Sequence, residues 1–208
     1  MFVLTIDQRG SRAGRDRVPE LLAALADIPA RLPFERTVGD EVQGLLDSAE
    51  AVVEVAMRAL RSGQWHVGVG VGEVVLPLPA RSPEASGGAF VAAREAVERA
   101  KKSGERVPLC VRGPAASGSE AAAAEAVLVL IGDLVRKRSE SEWRVVDALA
   151  ARPAARQIEV ARGLGISPQA VSKAILRAGW IEERNGAQAA QMLLSQCAAA
   201  QCQSGPLG

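Results

Sequence analysis

Five polar residues in the last third of the chain, Ser167, Gln169, Ser172, Lys173 and Arg177, share one outward face if the residues after Ser167 form a helix. Ile166, Val171, Ala174, Ile175 and Ala178 then make the complementary apolar stripe at helical spacing. An amide, hydroxyls and two cations on one helix face suit base edges and phosphates. A second set of reactive types sits in RTVGDEVQGLL, residues 36–46, where Asp40 and Glu41 follow Gly39 between two apolar runs. Gly with Asp is turn chemistry, and hairpin tips are normally solvated, so by themselves these acids require no site. His66, the single histidine, opens a strand beside Trp65 with no acid or nucleophile near it in sequence, and reads as structural. GVGVGEV, residues 68–74, alternates its glycines and so fits neither a dinucleotide-binding nor a P-loop arrangement. Small residues at that period predict a strand that another backbone or a ligand approaches closely.

The elements around these residues are legible in outline. Ala161 supplies a small residue where two helices would cross, Gly165 a positive-φ turn, Ser167 an N-cap and Pro168 the first helical turn. Ser139 with Glu142 forms a capping-box pattern that opens SEWRVVDALAA, and Trp143 and Trp180 bracket the helix pair as expected core residues. Ser117 with Glu120 repeats the pattern for a helix reaching about Arg138. Its AVLVLI, residues 126–131, is apolar on every side, and a homodimer interface is the expected cover. Upstream, strands and helices alternate as β-α-β-β-α-β-α-β, which predicts an α+β class, a ferredoxin-like split βαβ core with one added helix and strand. From Gln188 the tail reads equally as a dimerising helix or, through a turn at Asn185-Gly186, as a wing hairpin. The division expected is 1–115 for the sheet-bearing domain, 116–138 for a connecting and dimerising helix, and 139–208 for an all-α helix-turn-helix domain.

Composition narrows the function classes. Apolar residues make up 48% of 208, enough for a folded core, while aromatics at 3% and the absence of Tyr argue against a base-stacking platform. Three cysteines and one histidine offer neither a disulfide framework nor zinc spacing. With no leader pattern and no apolar run of membrane length, a cytoplasmic protein without membrane association is expected. Lys and Arg number 15 against 18 acids in residues 1–135, and 10 against 6 in 136–208, so only the C-terminal third favours a polyanion.

Residues 141–180 resemble the helix-turn-helix of MarR-type and sigma-factor-type regulators, with Gln157, Ala161, Gly165, Ile166, Ser167 and Val171 at the motif's positions. The whole chain resembles the SatD family through TIDQRGS, GDEVQGLL, VGVGEV and AFVAARE. Residues 1 to about 112 also resemble the palm of class III nucleotide cyclases and, more distantly, of GGDEF cyclases. That likeness implies a metal pair, Asp7 and Asp40, holding magnesium, since two hard cations on a triphosphate want converging carboxylates. It implies ligand contacts from Arg36, Asp40 and Arg94. It also implies lost catalysis: Arg36 stands where the purine-selecting Lys belongs, its partner Asp falls near Pro83, and Phe90 replaces the transition-state Asn. Double-stranded DNA and a nucleotide or second messenger are the partners expected. The function expected is a DNA-binding transcriptional regulator with a catalytically degenerate cyclase-like sensor. A metal-dependent nucleotide cyclase or nucleotide-processing enzyme with an attached DNA-binding domain, and a non-sensing dimerisation scaffold, are the alternatives.

Overall fold

The computed structural model describes residues 1–10 and 14–203. Its elements run β1 (Phe2–Gln8), α1 (Val18–Ala24), β2 (Leu32–Arg36), β3 (Glu41–Leu46), α2 (Ala49–Arg61), β4 (Trp65–Val71), α3 (Gly88–Ala100), β5 (Leu109–Arg112), α4 (Gly118–Lys137), α5 (Glu140–Ala151), α6 (Gln157–Leu164), α7 (Pro168–Arg177) and α8 (Trp180–Gln203). The class is α+β, with a five-stranded mixed sheet and eight α-helices among the described residues. Strand order is β2-β3-β1-β4-β5, antiparallel except for the parallel β4–β5 pair.

Alternation along each strand decides what covers each face. Phe2, Leu4 and Ile6 of β1 share a face with Val42 and Leu46 of β3 and with Val67, Val69 and Val71 of β4. These join α2, α4 and α8 in the large core. The opposite face carries Val3 and Leu45, which pack on Ala89, Phe90 and Ala93 of α3. Gly68 and Gly70 lie on this face, and a Cβ on either would strike the α3 backbone at Ala93. The alternating glycines are therefore the seat of α3: valines feed the large core while the glycines admit a helix backbone.

Two expectations are corrected here. Ser117 precedes α4 without capping it. Its hydroxyl is buried, donating to the Pro114 carbonyl at 3.3 Å and lying 3.3 Å from the Cys197 Sγ of α8, so tertiary packing claims it. The chain itself covers one side of α4: Leu128, Ile131 and Val135 are buried in the large core beside Ala190, Leu194 and Cys197 of α8, while Ala126 and Leu130 of the same run stay exposed. Gly186 lets that happen, because a Cβ there would collide with Ile131. Asn185-Gly186 is thus inside a helix, and there is no wing turn. Among the described residues no helix is long and apolar enough to cross a membrane.

Candidate functional site

Helices α5, α6 and α7 form a small unit with a core of its own, built on Val145, Val160, Ala161, Val171 and Ile175. Each boundary has a local cause. Ser139 and Glu142 complete a capping box at α5, with Ser139 N–H donating to Glu142 at 2.8 Å, and this hydrogen bonding holds the Glu142 carboxyl below its usual range. Gly165 ends α6 at φ +66°, the left-handed region that suits glycine. Ser167 then caps α7, its Oγ accepting from Ala170 N–H at 3.1 Å, and Pro168 fills the first turn.

The face turned outward is the one the sequence predicts. Ser167, Gln169, Ser172, Lys173 and Arg177 are all exposed, and neither Lys173 nor Arg177 is in a salt bridge among the described residues. Between 156 and 178 the chain carries four cations, Arg156, Arg162, Lys173 and Arg177, against Glu159 alone. Glu159 is tied to Arg156 at 3.1 Å, which leaves exposed Arg162 as a further cation on this unit. Ile166 departs from expectation: it is 37% exposed and lies outside the small core, because it occupies the loop after Gly165. Trp143 also departs, packing on the large core, while Trp180 packs partly on the small one.

One junction residue went unmarked in the sequence. Arg138, between α4 and α5, has a side chain only 1% exposed. Its Nε donates to the Ala178 carbonyl at the end of α7 at 2.8 Å, and Nη2 donates to Glu183 of α8 at 2.7 Å. Its guanidinium also lies 4.8 Å from the Trp143 ring centre, with that of Arg61 of α2 at 3.9 Å. Arg61 in turn grips Asp147 of α5 through two bonds, 2.7 and 2.8 Å. Nothing in residue type distinguishes Arg138 from a solvated arginine; only its position just before a helix cap hints at a junction.

The sheet residues are arranged differently from the sequence expectation. Asp7 stands opposite Glu41 and His66 in neighbouring strands, so these three share the α3 face. Lys101, the C-cap of α3, holds Asp7 at 2.9 Å, and Arg94 comes within 3.8 Å of Glu41 while staying 68% exposed. Desolvation opposes the charge of Lys101, yet hydrogen bonds to Glu98 and Asp7 outweigh it and raise its pKa. His66 lies 3.9 Å from Asp7, and burial, helped by the charge of Arg9, lowers its pKa. Asp40 sits in the turn, with its carbonyl accepting from Gln8 N–H at 3.4 Å. Arg36 pairs with Val42 in register, hence on the large-core face, where it bonds Asp16 at 2.5 Å and the Gly39 carbonyl at 3.1 Å.

Arg36 and Arg94 thus lie on opposite faces of the sheet and cannot grip one ligand there. Asp7 meets Glu41 and an ammonium instead of Asp40, and among the described residues no cluster of three metal-capable side chains occurs. These residues do not fit a two-metal centre. Phe90 is buried against Val3, Leu32 and Leu45, and Pro83 lies in a short 3-10 turn, Ser82–Glu84. No family model matches the chain, and no curated protein or solved structure matches it.

Proposed function

We propose that the chain is a DNA-binding transcriptional regulator whose helix α7 enters the major groove. The observation that carries this is the capped α7 with Gln169, Ser172, Lys173 and Arg177 exposed on one short element behind a glycine turn. In this reading α5–α7 are a helix-turn-helix unit, with α6 crossing the backbone and α7 contacting bases. The sheet body has the strand order of a ferredoxin-like core extended by β5, which supports a cyclase-like palm. That palm is degenerate: Phe90 and Pro83 cannot supply selection, and the Asp7 carboxylate is already engaged by Lys101. The reading keeps the cyclase-like body and drops a phosphate site shared by Arg36, Asp40 and Arg94. Dimerisation stays within it because paired half-sites are the usual way such a unit gains specificity. The surface for a second copy is the side of α4 that α8 leaves open, where Ala122, Ala126 and Leu130 are exposed.

Selection from a pool of random duplexes tests this directly. The full chain should enrich a defined sequence, and Gln169→Ala should relax the preference at one position at a cost of about 1–3 kcal/mol. No retained duplex at low salt would remove the proposal.

A further inference from the structure

Strand β5 is an edge of the sheet, and beside it, where α3 and α4 flank it, lie two adjoining hollows. The first, of about 300 Å³, has buried Val107, Leu109 and Cys110 with half-buried Val129 as an apolar floor. Its rim is exposed Arg99, Lys102 and Arg106 with the Ser103 hydroxyl. The second, of about 510 Å³, continues from Arg99 and Lys102 to Arg94 and Arg112. The edge is closed to an added strand, because Val111 N–H donates to Glu125 of α4 at 2.8 Å and Leu109 N–H to the Val107 carbonyl at 2.9 Å. Whatever enters the first hollow therefore meets side chains, in a volume at the lower end of small-molecule sites.

Charge decides the kind of molecule. Lys102, Arg106 and Arg112 are in no salt bridge among the described residues. Arg99 approaches Glu125 at 3.7 Å, too far for a hydrogen bond, so its guanidinium keeps its donors. Arg136 donates to the Arg106 carbonyl at 3.2 Å and brings one more cation to that loop. Of the acids nearby, Glu125 is the one on the first lining, and one of its oxygens already accepts from Val111. Glu98 and Glu95 line the second hollow, Glu98 held by Lys101 at 2.7 Å, and exposed Glu105 in the loop lines neither. The first hollow thus sets three cations against one carboxylate over an apolar floor. Arg99 and Lys102 also offset the dipole at the end of α3, but Arg106 stands in the following loop, where no helix end calls for it.

We propose that the first hollow binds a small organic phosphate. Its apolar part rests on Val107, Leu109 and Val129, and its doubly charged head lies among Arg99, Lys102 and Arg106, whose planar guanidinium groups suit phosphate oxygens. The excess of two positive charges on the lining matches a phosphomonoester dianion better than a singly charged group. No residue of α5–α8 lines this hollow, so the site belongs to the sheet body and is independent of the DNA-binding reading.

Calorimetry on the full chain without DNA, at neutral pH, tests it with 1-naphthyl phosphate as the probe. Binding should be saturable with a submillimolar dissociation constant. Inorganic phosphate, which has no apolar part, should bind at least tenfold more weakly, and 1-naphthalenesulfonate, with one charge, several-fold more weakly. Lys102→Glu/Arg106→Glu changes two exposed residues and should weaken 1-naphthyl phosphate at least tenfold while leaving the thermal midpoint in place. Lys173→Ala/Arg177→Ala on α7 should bind the probe as wild type does. Absence of saturable heat up to millimolar probe, or equal affinity in wild type and Lys102→Glu/Arg106→Glu, would overturn the site. Loss of binding in the α7 variant would place the probe elsewhere and overturn it too. Equal affinity for the sulfonate and the phosphate would overturn the doubly charged head.

Discussion

Gly165 shows how one residue can fix the angle at which two helices meet. Its φ of +66° lets α6 stop and α7 start across the short loop Gly165–Ser167, and the Ile166 N–H closes back onto the Ala161 carbonyl at 3.1 Å. Gly165→Ala should cost about 1–2 kcal/mol, the strain of an L residue in the left-handed region, seen as a lower denaturant midpoint. Empty space around the site means that this strain, and no clash, is what is measured. Cys110 gives a chemical check on the α3 face. Burial pushes its thiol up to about 11, so the folded chain holds that proton more tightly than the unfolded chain does. The associated stability is complete below the ordinary thiol range and is lost as pH rises toward 11. Alkylation of Cys110 at pH 8, followed by site-resolved mass spectrometry, should be at least about tenfold slower in native than in denatured chain, because the thiolate is the nucleophile. Equal rates would contradict its burial. At this scale the sequence was most readable where the cause is local. Ser139 caps α5 because Glu142 lies three residues on, whereas the same spacing at Ser117 and Glu120 fails because α8, 80 residues away, competes for the Ser117 hydroxyl.

At the scale of elements, β4 and α8 show the two limits of reading pattern. The valine and glycine alternation of β4 announces a strand with two unlike faces, and the structure assigns the glycine face to α3. Gly70→Val should therefore force α3 away from the sheet and lower stability by about 1–3 kcal/mol, or prevent folding altogether. Chemical denaturation checks it, and an unchanged midpoint would mean that α3 does not sit on β4. In contrast, α8 could not be read. Its buried positions are Ala190, Leu194 and Cys197 among alanines and glutamines, so the contrast between faces is slight. Gly186 imitates a turn in sequence while serving helix contact in space. In α4 the chain covers only the side of Leu128, Ile131 and Val135, and Leu130 stays 69% exposed. An all-round apolar helix calls for cover, but sequence cannot say whether that cover comes from a second chain or from residues 60 positions onward.

For the molecule as a whole, the α+β class follows from the alternation of elements, and the boundaries of α5 and α7 follow from their caps. The sheet cluster did not follow, because register sets it: Glu41, one residue from Asp40, is the partner of Asp7 across β1 and β3. A slip of one residue reverses the face of a side chain, and register puts Arg36 opposite Val42 on the large-core face, while Arg94 comes from α3 on the other. What remains is a division of charge that suits the proposed function. The polar row on the sheet is largely self-neutralised, with Asp7 on Lys101 and Glu41 near Arg94, whereas Lys173 and Arg177 on α7 have no salt-bridge partner among the described residues. The most direct measurement is the salt dependence of duplex affinity for wild type and for Lys173→Ala/Arg177→Ala. If both cations meet phosphates, the double variant should bind any duplex more weakly, and its slope of log affinity against log salt should shrink by about 1.8. The same slope and the same affinity in both proteins would show that α7 is not the DNA-binding helix.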